Sequence, residues 1–177
     1  MRIINLAAFA ALSIAAPAHA ADLATIDCVI EKLQPALKEL IDTEVTRSFA
    51  QGAVRATFDP AVTSGLGAAA KACAIEHTWT AAAATAARDY TLGKLGLPIA
   101  EKFVAEKGFD VAELETQFGA LAEEVRNRPL TKDEMQALVI ASVTDEAKQT
   151  RENASLLNNY YLLLSTVQYA AWNFSQA

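Results

Sequence analysis

An all-α fold, a single-domain helical bundle of about six helices stapled by one disulfide, follows from three observations. Apolar residues recur at three- and four-residue spacing over most of the chain, and helix-capping residues stand at the edges of those stretches. Strand-like alternation is confined to residues 54–58, where a lone strand would have no partner, so that segment reads as a connection.

Residues 1–20 read as a removed signal peptide. Arg2 precedes the apolar run 3–16, and Pro17-Ala18-His19-Ala20 offers small residues at both positions a signal peptidase reads. That run is shorter than the ~20 apolar residues that span a bilayer, and no cysteine follows the cleavage site to carry lipid. Removing 20 of 177 residues leaves 157, enough for one domain over residues 21–177. Only Arg2 is lost among the charges, so 14 basic side chains face 21 acidic ones. The remaining chain is acidic and has no basic cluster, which argues against nucleic acid and against a polyanionic membrane surface as partners. Export, most simply to a bacterial periplasm, puts Cys28 and Cys73 in an oxidising compartment and predicts a bridge between them.

The first helix is capped by Asp22 or Thr25 and carries its stripe on Ile26, Val29, Ile30, Leu33, Leu37, Leu40 and Ile41, extended by Val45 and Phe49. Pro35 predicts a kink or a break into two. Cys28 lies away from that stripe and must bridge to a neighbour on the other side. Gly52 ends the segment, and Asp59-Pro60 opens a short helical turn that Gly65 is expected to interrupt. A central helix is then expected over residues 66–90, stopping near Gly93. Ile75, Trp79 and Tyr90 fall on one face of it and Cys73 and His77 on the other, with alanines on both, as suits a helix with neighbours all round.

Pro98 is expected to start a short helix that Gly108 terminates. Asp110 with Glu113, flanked by Phe109 and Leu114, starts a helix over 110–127. Thr131 with Glu134, flanked by Leu130 and Met135, starts another to about residue 148. The polar stretch 144–153 predicts a break, since an unbroken helix to residue 174 would overshoot a domain of this size. Residues 156–174 carry no charge, yet Asn158, Asn159, Gln168 and Asn173 are expensive in lipid, so a buried core helix is expected rather than a membrane span.

Candidate chemistry is sparse. Cys73 and His77, four apart, have the spacing of a thiol–imidazole dyad, but export favours a half-cystine beside a partly buried histidine. Cys28, Cys73, His77 and a carboxylate have the ligand count for zinc without the short spacings that pre-form such a site, so no metal is expected. Ferritin-like ligation fails because Ala74 stands three before His77, and haem ligation by His77 and Met135 lacks CxxCH or any supporting spacing. Residues 65–70 match GxGxxA, but no strand–helix–strand unit surrounds them, so the glycines read as a turn and no cofactor is expected. The acidic pairs 123–124, 133–134 and 145–146 are splayed along helices and read as solvated faces or caps. Asn153-Ala154-Ser155 and Asn173-Phe174-Ser175 have glycosylation spacing but read as ordinary polar positions in a bacterial-looking chain.

The expected function is therefore binding rather than catalysis, by an exported protein with a protein partner or a second copy of itself, such as an inhibitor or accessory of an envelope protein. The alternatives are a thiol enzyme using Cys73 and His77, and a carrier of an apolar small ligand.

Overall fold

The computed structural model describes residues 20–52 and 57–177. The expected signal peptide, apart from Ala20, and most of the alternating segment 54–58 lie outside the described residues. Among the described residues there are eight α-helices, two 3-10 turns and no strand. The all-α class and the disulfide staple are as expected; the helices number eight rather than about six because several boundaries fall elsewhere.

A 3-10 turn at Leu23–Thr25, capped by Asp22, leads into α1 (Cys28–Lys32). Pro35 forces the preceding Gln34 into extended backbone and sits in the first turn of α2 (Pro35–Ala50), so the expected break is present. Ile41, Val45 and Phe49 carry the inward face of α2, and the buried Glu44 pairs with Arg47 one turn on.

Asp59 and Pro60 open α3 (Pro60–His77) as expected, the Asp59 carboxylate accepting from the N–H of Ala61 at 2.7 Å. Gly65 and Gly67, however, form no turn. Both are helical, and Gly65 lies so close to α2 that a Cβ there would overlap the Leu37 side chain. The glycine thus serves close helix packing rather than chain reversal.

The expected continuous helix over residues 66–90 is corrected. It is divided at Thr78, whose φ of 55° is left-handed, and α4 (Ala81–Glu106) begins only after Thr80. Neither Gly93 nor Pro98 bounds a helix, since both lie inside α4. Gly93 is buried against α8 (Arg151–Gln176), whereas Pro98 and Lys94, whose carbonyl loses its helical donor to the proline, are both exposed residues. Packing along the opposite face outweighs the local penalty. Gly108, with φ of 76°, ends the helix region as expected.

Asp110 caps α5 (Val111–Gly119), accepting from the N–H of Ala112 and of Glu113, but the predicted helix over 110–127 breaks at residues 120–122 before the single turn α6 (Glu123–Arg126). Gly119 weakens the helix there, and the Leu121 carbonyl accepts from Arg126 Nε at 3.1 Å instead. The Thr131–Glu134 capping box is present and starts α7 (Lys132–Ser142), which stops short of the expected residue 148. Its C-cap, Val143, leaves helical geometry, and a 3-10 turn at Glu146–Lys148 follows, so the polar stretch does break the chain before α8.

The long helices α4 and α8 form the centre of the fold. They run antiparallel, with Gly93 against Val167 and Gly96 against Leu163, and a Cβ on Gly93 would come within 3.0 Å of Val167 Cγ2 and 3.4 Å of its backbone nitrogen. Ala83, Ala86, Ala87 and Ala100 complete the small face of α4, while Leu157, Tyr160, Tyr161 and Phe174 supply the bulk from α8. Each large side chain removed from water in this way contributes about 1.5–3 kcal/mol. The hydroxyl of Tyr161 is anchored by Ser142 (2.6 Å) and Gln117 (3.3 Å), tying α8 to α7 and α5. Those of Thr91, Tyr160 and Ser165 are buried with no hydrogen-bond partner among the described residues. Burial and the charges of Glu115 and Glu101 push the Tyr160 phenol up. No described helix is long and apolar enough to cross a membrane.

Candidate functional site

The inward face of α3 is built from Val62, Leu66, Ala69, Ala70 and Cys73, at three- and four-residue spacing, which carries the Cys73 sulfur to the helix's buried side near its C-terminus. Cys28 is the first residue of α1, and the two form the predicted disulfide across a Cα–Cα distance of 6.0 Å. Cys73 is wholly buried and Cys28 nearly so. A thiol–imidazole dyad therefore has no thiol in this state, because the sulfur that would attack is already bonded.

The other two prominent residues of this region do not separate as the helical faces suggested. Expected on the face opposite His77 with Ile75 and Tyr90, Trp79 instead lies on His77, the rings stacked with centroids 5.4 Å apart and an interplanar angle of 23°. The left-handed turn at Thr78 is the cause. It ends α3 with the N–H groups of both Thr78 and Trp79 bonded to the carbonyl of Ala74 and folds the indole back over the last turn. The indole also packs edge-on against Phe174 at 4.9 Å and donates from Nε1 to Thr25 Oγ1 at 3.1 Å. Ile75, its supposed companion, is 74% exposed. Trp79 thus joins the last turn of α8 to the first described turn of the chain.

Glu76 stands between His77 and α1. One carboxylate oxygen pairs with Lys32 Nζ at 2.6 Å and the other lies 3.8 Å from His77 Nε2. The hydrogen bond and charge of Lys32, followed by the charge of His77, hold the Glu76 carboxyl below its ordinary range. The sulfur of Cys28, the Glu76 carboxylate and a ring nitrogen of His77 all lie within 4.8 Å of one another. In the oxidised protein this does not make a metal centre, since a disulfide sulfur is not the thiolate that binds zinc. Sequence reasoning named Cys28, Cys73 and His77 but neither Glu76 nor Lys32. The adjacency of Glu76 to His77, and of Lys32 to Cys28 one turn on, was the available signal.

Among the concavities elsewhere are two lined by apolar side chains next to charged ones. Phe49 and Phe103, stacked at 5.6 Å, line a cleft of 450 Å³ together with Leu156, and Lys107 and Glu152 pair across its rim at 2.7 Å. A shallower groove of 320 Å³ runs between α7 and α8 over Val139, Ile140, Val143 and Ala154, with Arg151 on its edge. Ile140 is 65% exposed, and Arg151 has no ion pair among the described residues. Met135, considered as an axial ligand beside His77, is buried in the core on α7.

Comparison with known proteins gives no match: no family profile fits the chain, and neither a curated protein nor a solved structure is significantly similar to it.

Proposed function

We propose that this is an exported protein, folded as one domain over residues 21–177, that acts by binding a protein partner rather than by catalysis. The observation that carries the reading is Ile140, a large apolar side chain left 65% exposed in an open groove whose floor is Val139, Val143 and Ala154. Ile75 is more exposed still, but Ile140 stands in a groove with other apolar side chains, so that a partner's apolar side chain seated there would bury a contiguous patch. Arg151 at the rim suits a partner that offers an apolar side chain next to a carboxylate. Export is supported by the charge and apolar pattern of residues 1–20 and by the compatibility of the disulfide with an oxidising compartment.

The test is affinity capture from an envelope extract with the wild-type chain and with Ile140→Asp, the fold of both checked by circular dichroism. A protein held stoichiometrically by the wild type and lost with Ile140→Asp is the expected result. Equal capture by both, or none by either, removes the groove as the basis of function.

The cleft over Phe49 and Phe103 favours a second reading, an apolar-ligand carrier, because its 450 Å³ falls within the roughly 300–1,000 Å³ of small-molecule sites. Native mass spectrometry of the purified protein separates the two: a retained small molecule belongs to the carrier, and a bare mass with a protein partner belongs to the first reading.

A further inference from the structure

We infer that the disulfide region is a redox-gated metal site, in which reduction of the Cys28–Cys73 bond frees both sulfurs to join Glu76 and His77 as ligands for a divalent zinc-class cation. The two sulfurs are bonded to one another, and the Cys28 sulfur, the Glu76 carboxylate and a His77 ring nitrogen lie within 4.8 Å of one another. Three donors of the types zinc prefers therefore already converge from the start of α1 and the last turn of α3, and the Cys73 sulfur, bonded to that of Cys28, is the fourth within reach.

The rearrangement required is small. Two sulfurs each about 2.3 Å from a tetrahedral ion stand about 3.8 Å apart, so cysteines whose Cα atoms are 6.0 Å apart need to separate their sulfurs by less than about 2 Å once the bond is broken. Glu76 is prepared to ligate through one oxygen, because Lys32 occupies the other at 2.6 Å while the first faces His77. Lys32 then holds the carboxylate in place, as outer partners of metal ligands commonly do. Trp79, stacked on His77, limits the swing of the imidazole.

The chemistry balances with a dithiol as reductant. One of its thiolates attacks the Cys28 sulfur, the more exposed of the pair, and Cys73 leaves as a thiolate. The second thiol of the reductant then displaces Cys28 and closes a disulfide on the reductant, so two electrons pass to the protein. Binding of the cation to the two cysteines releases two protons from the thiols. Thiol–disulfide exchange with a disulfide oxidant, the reverse of these steps, takes the two electrons back, re-forms the Cys28–Cys73 bond and expels the cation, so the bridge and the metal are mutually exclusive.

The test uses the chain without residues 1–20, oxidised or reduced with a non-chelating phosphine, titrated anaerobically with Co²⁺ and then Zn²⁺. The reduced protein is expected to take up one Co²⁺ with the strong visible bands and thiolate charge transfer of a tetrahedral site. Zn²⁺ should displace it, and Trp79 emission should change, read in a Trp172→Phe background. The oxidised protein is expected to show none of this. His77→Ala and Glu76→Gln should each weaken binding by about tenfold or more. Should reduction unfold the chain, Zn²⁺ is expected to restore its circular dichroism, while the Cys28→Ala/Cys73→Ala variant stays unresponsive. Affinity unaffected by His77→Ala, binding by the reduced protein no tighter than by the double variant, or failure of Zn²⁺ to refold an unfolded reduced chain would each overturn the inference.

Discussion

At the scale of single residues, glycine separates two roles that the sequence does not distinguish. Gly67 and Gly93 both lie inside helices, yet a Cβ on Gly67 meets nothing within 4 Å whereas one on Gly93 meets the side chain and backbone of Val167. Replacing Gly67 by Ala therefore gains helix propensity with no steric charge against it, and Gly67→Ala should stabilise by about 0.5–1 kcal/mol. Gly93→Ala gains the same propensity but pushes α8 away along a close-packed seam, a cost of roughly 1–3 kcal/mol, so a net destabilisation of about 1 kcal/mol is expected. Urea denaturation of the two variants checks this, and the same sign for both would refute the seam. Local chemistry explains what was readable here. Asp59, Asp110 and Thr131 bond backbone groups two or three residues on, so their roles are visible in the order of residues alone. The partner of Gly93 is 74 positions away, and nothing near the glycine announces it.

At the scale of elements, boundaries set by side-chain caps were legible and those set by tertiary contact were not. The turn at residues 78–80 contains neither glycine nor proline. It is held by Trp79, whose anchors are Thr25 and Phe174, from the first and last parts of the described chain. Pro98, a strong local stop signal, is overridden because α4 is buried along its other face. The pairing of Glu76 with Lys32, which completes the candidate site, depends on α1 lying beside α3, a relation fixed by Cys28 and Cys73; sequence spacing puts each side chain within about a turn of a cysteine but does not say that the two meet. The start of α7 carries the clearest acid-sensitive element. Glu134 accepts from Arg128 at 2.6 and 2.9 Å and from the Thr131 backbone at 2.8 Å, and these hydrogen bonds lower its carboxyl from 4.5 to about 2. Between those two values the unfolded chain binds a proton there that the folded chain does not, so the contribution of Glu134 is present above pH 4.5 and is lost as the pH falls toward about 2. Glu76 and Glu152 shift the same way, through Lys32 and Lys107. Glu101 runs oppositely, its carboxyl raised by burial and by Glu115, so folding becomes less favourable as the pH rises through its titration. Thermal melts of wild type and Glu134→Gln from pH 7 to pH 2 should show a shallower acid decline in the variant. Parallel curves would contradict the assignment.

At the scale of the whole molecule, one buried cluster runs from Ile26 to Phe174 and takes side chains from α1 to α5, α7 and α8. The cross-link spans 45 positions at one edge of it. On the chain-entropy account, closing a loop of that length stabilises by about 4 kcal/mol, a large share of the 5–15 kcal/mol typical of a domain. Cys28→Ala/Cys73→Ala should lose about that amount in chemical denaturation under metal-free conditions, and a loss below about 1 kcal/mol would show that the edge is held by packing alone. The bundle, its bridge and its buried last helix were readable from periodicity, cysteine count and the uncharged run. Which helices lie side by side was not, because the small residues that let α4 and α8 approach are compatible with many neighbours. That pairing also sets an order of events. The glycine and alanine face of α4 is made by residue 106, but its cover, α8, ends only at residue 176. A chain synthesised from its N-terminus therefore carries an open seam for some seventy residues of growth. Its core closes only after the last turn of α8 has been made, so the preceding chain stays threadable until then, which suits the proposed export through a narrow channel.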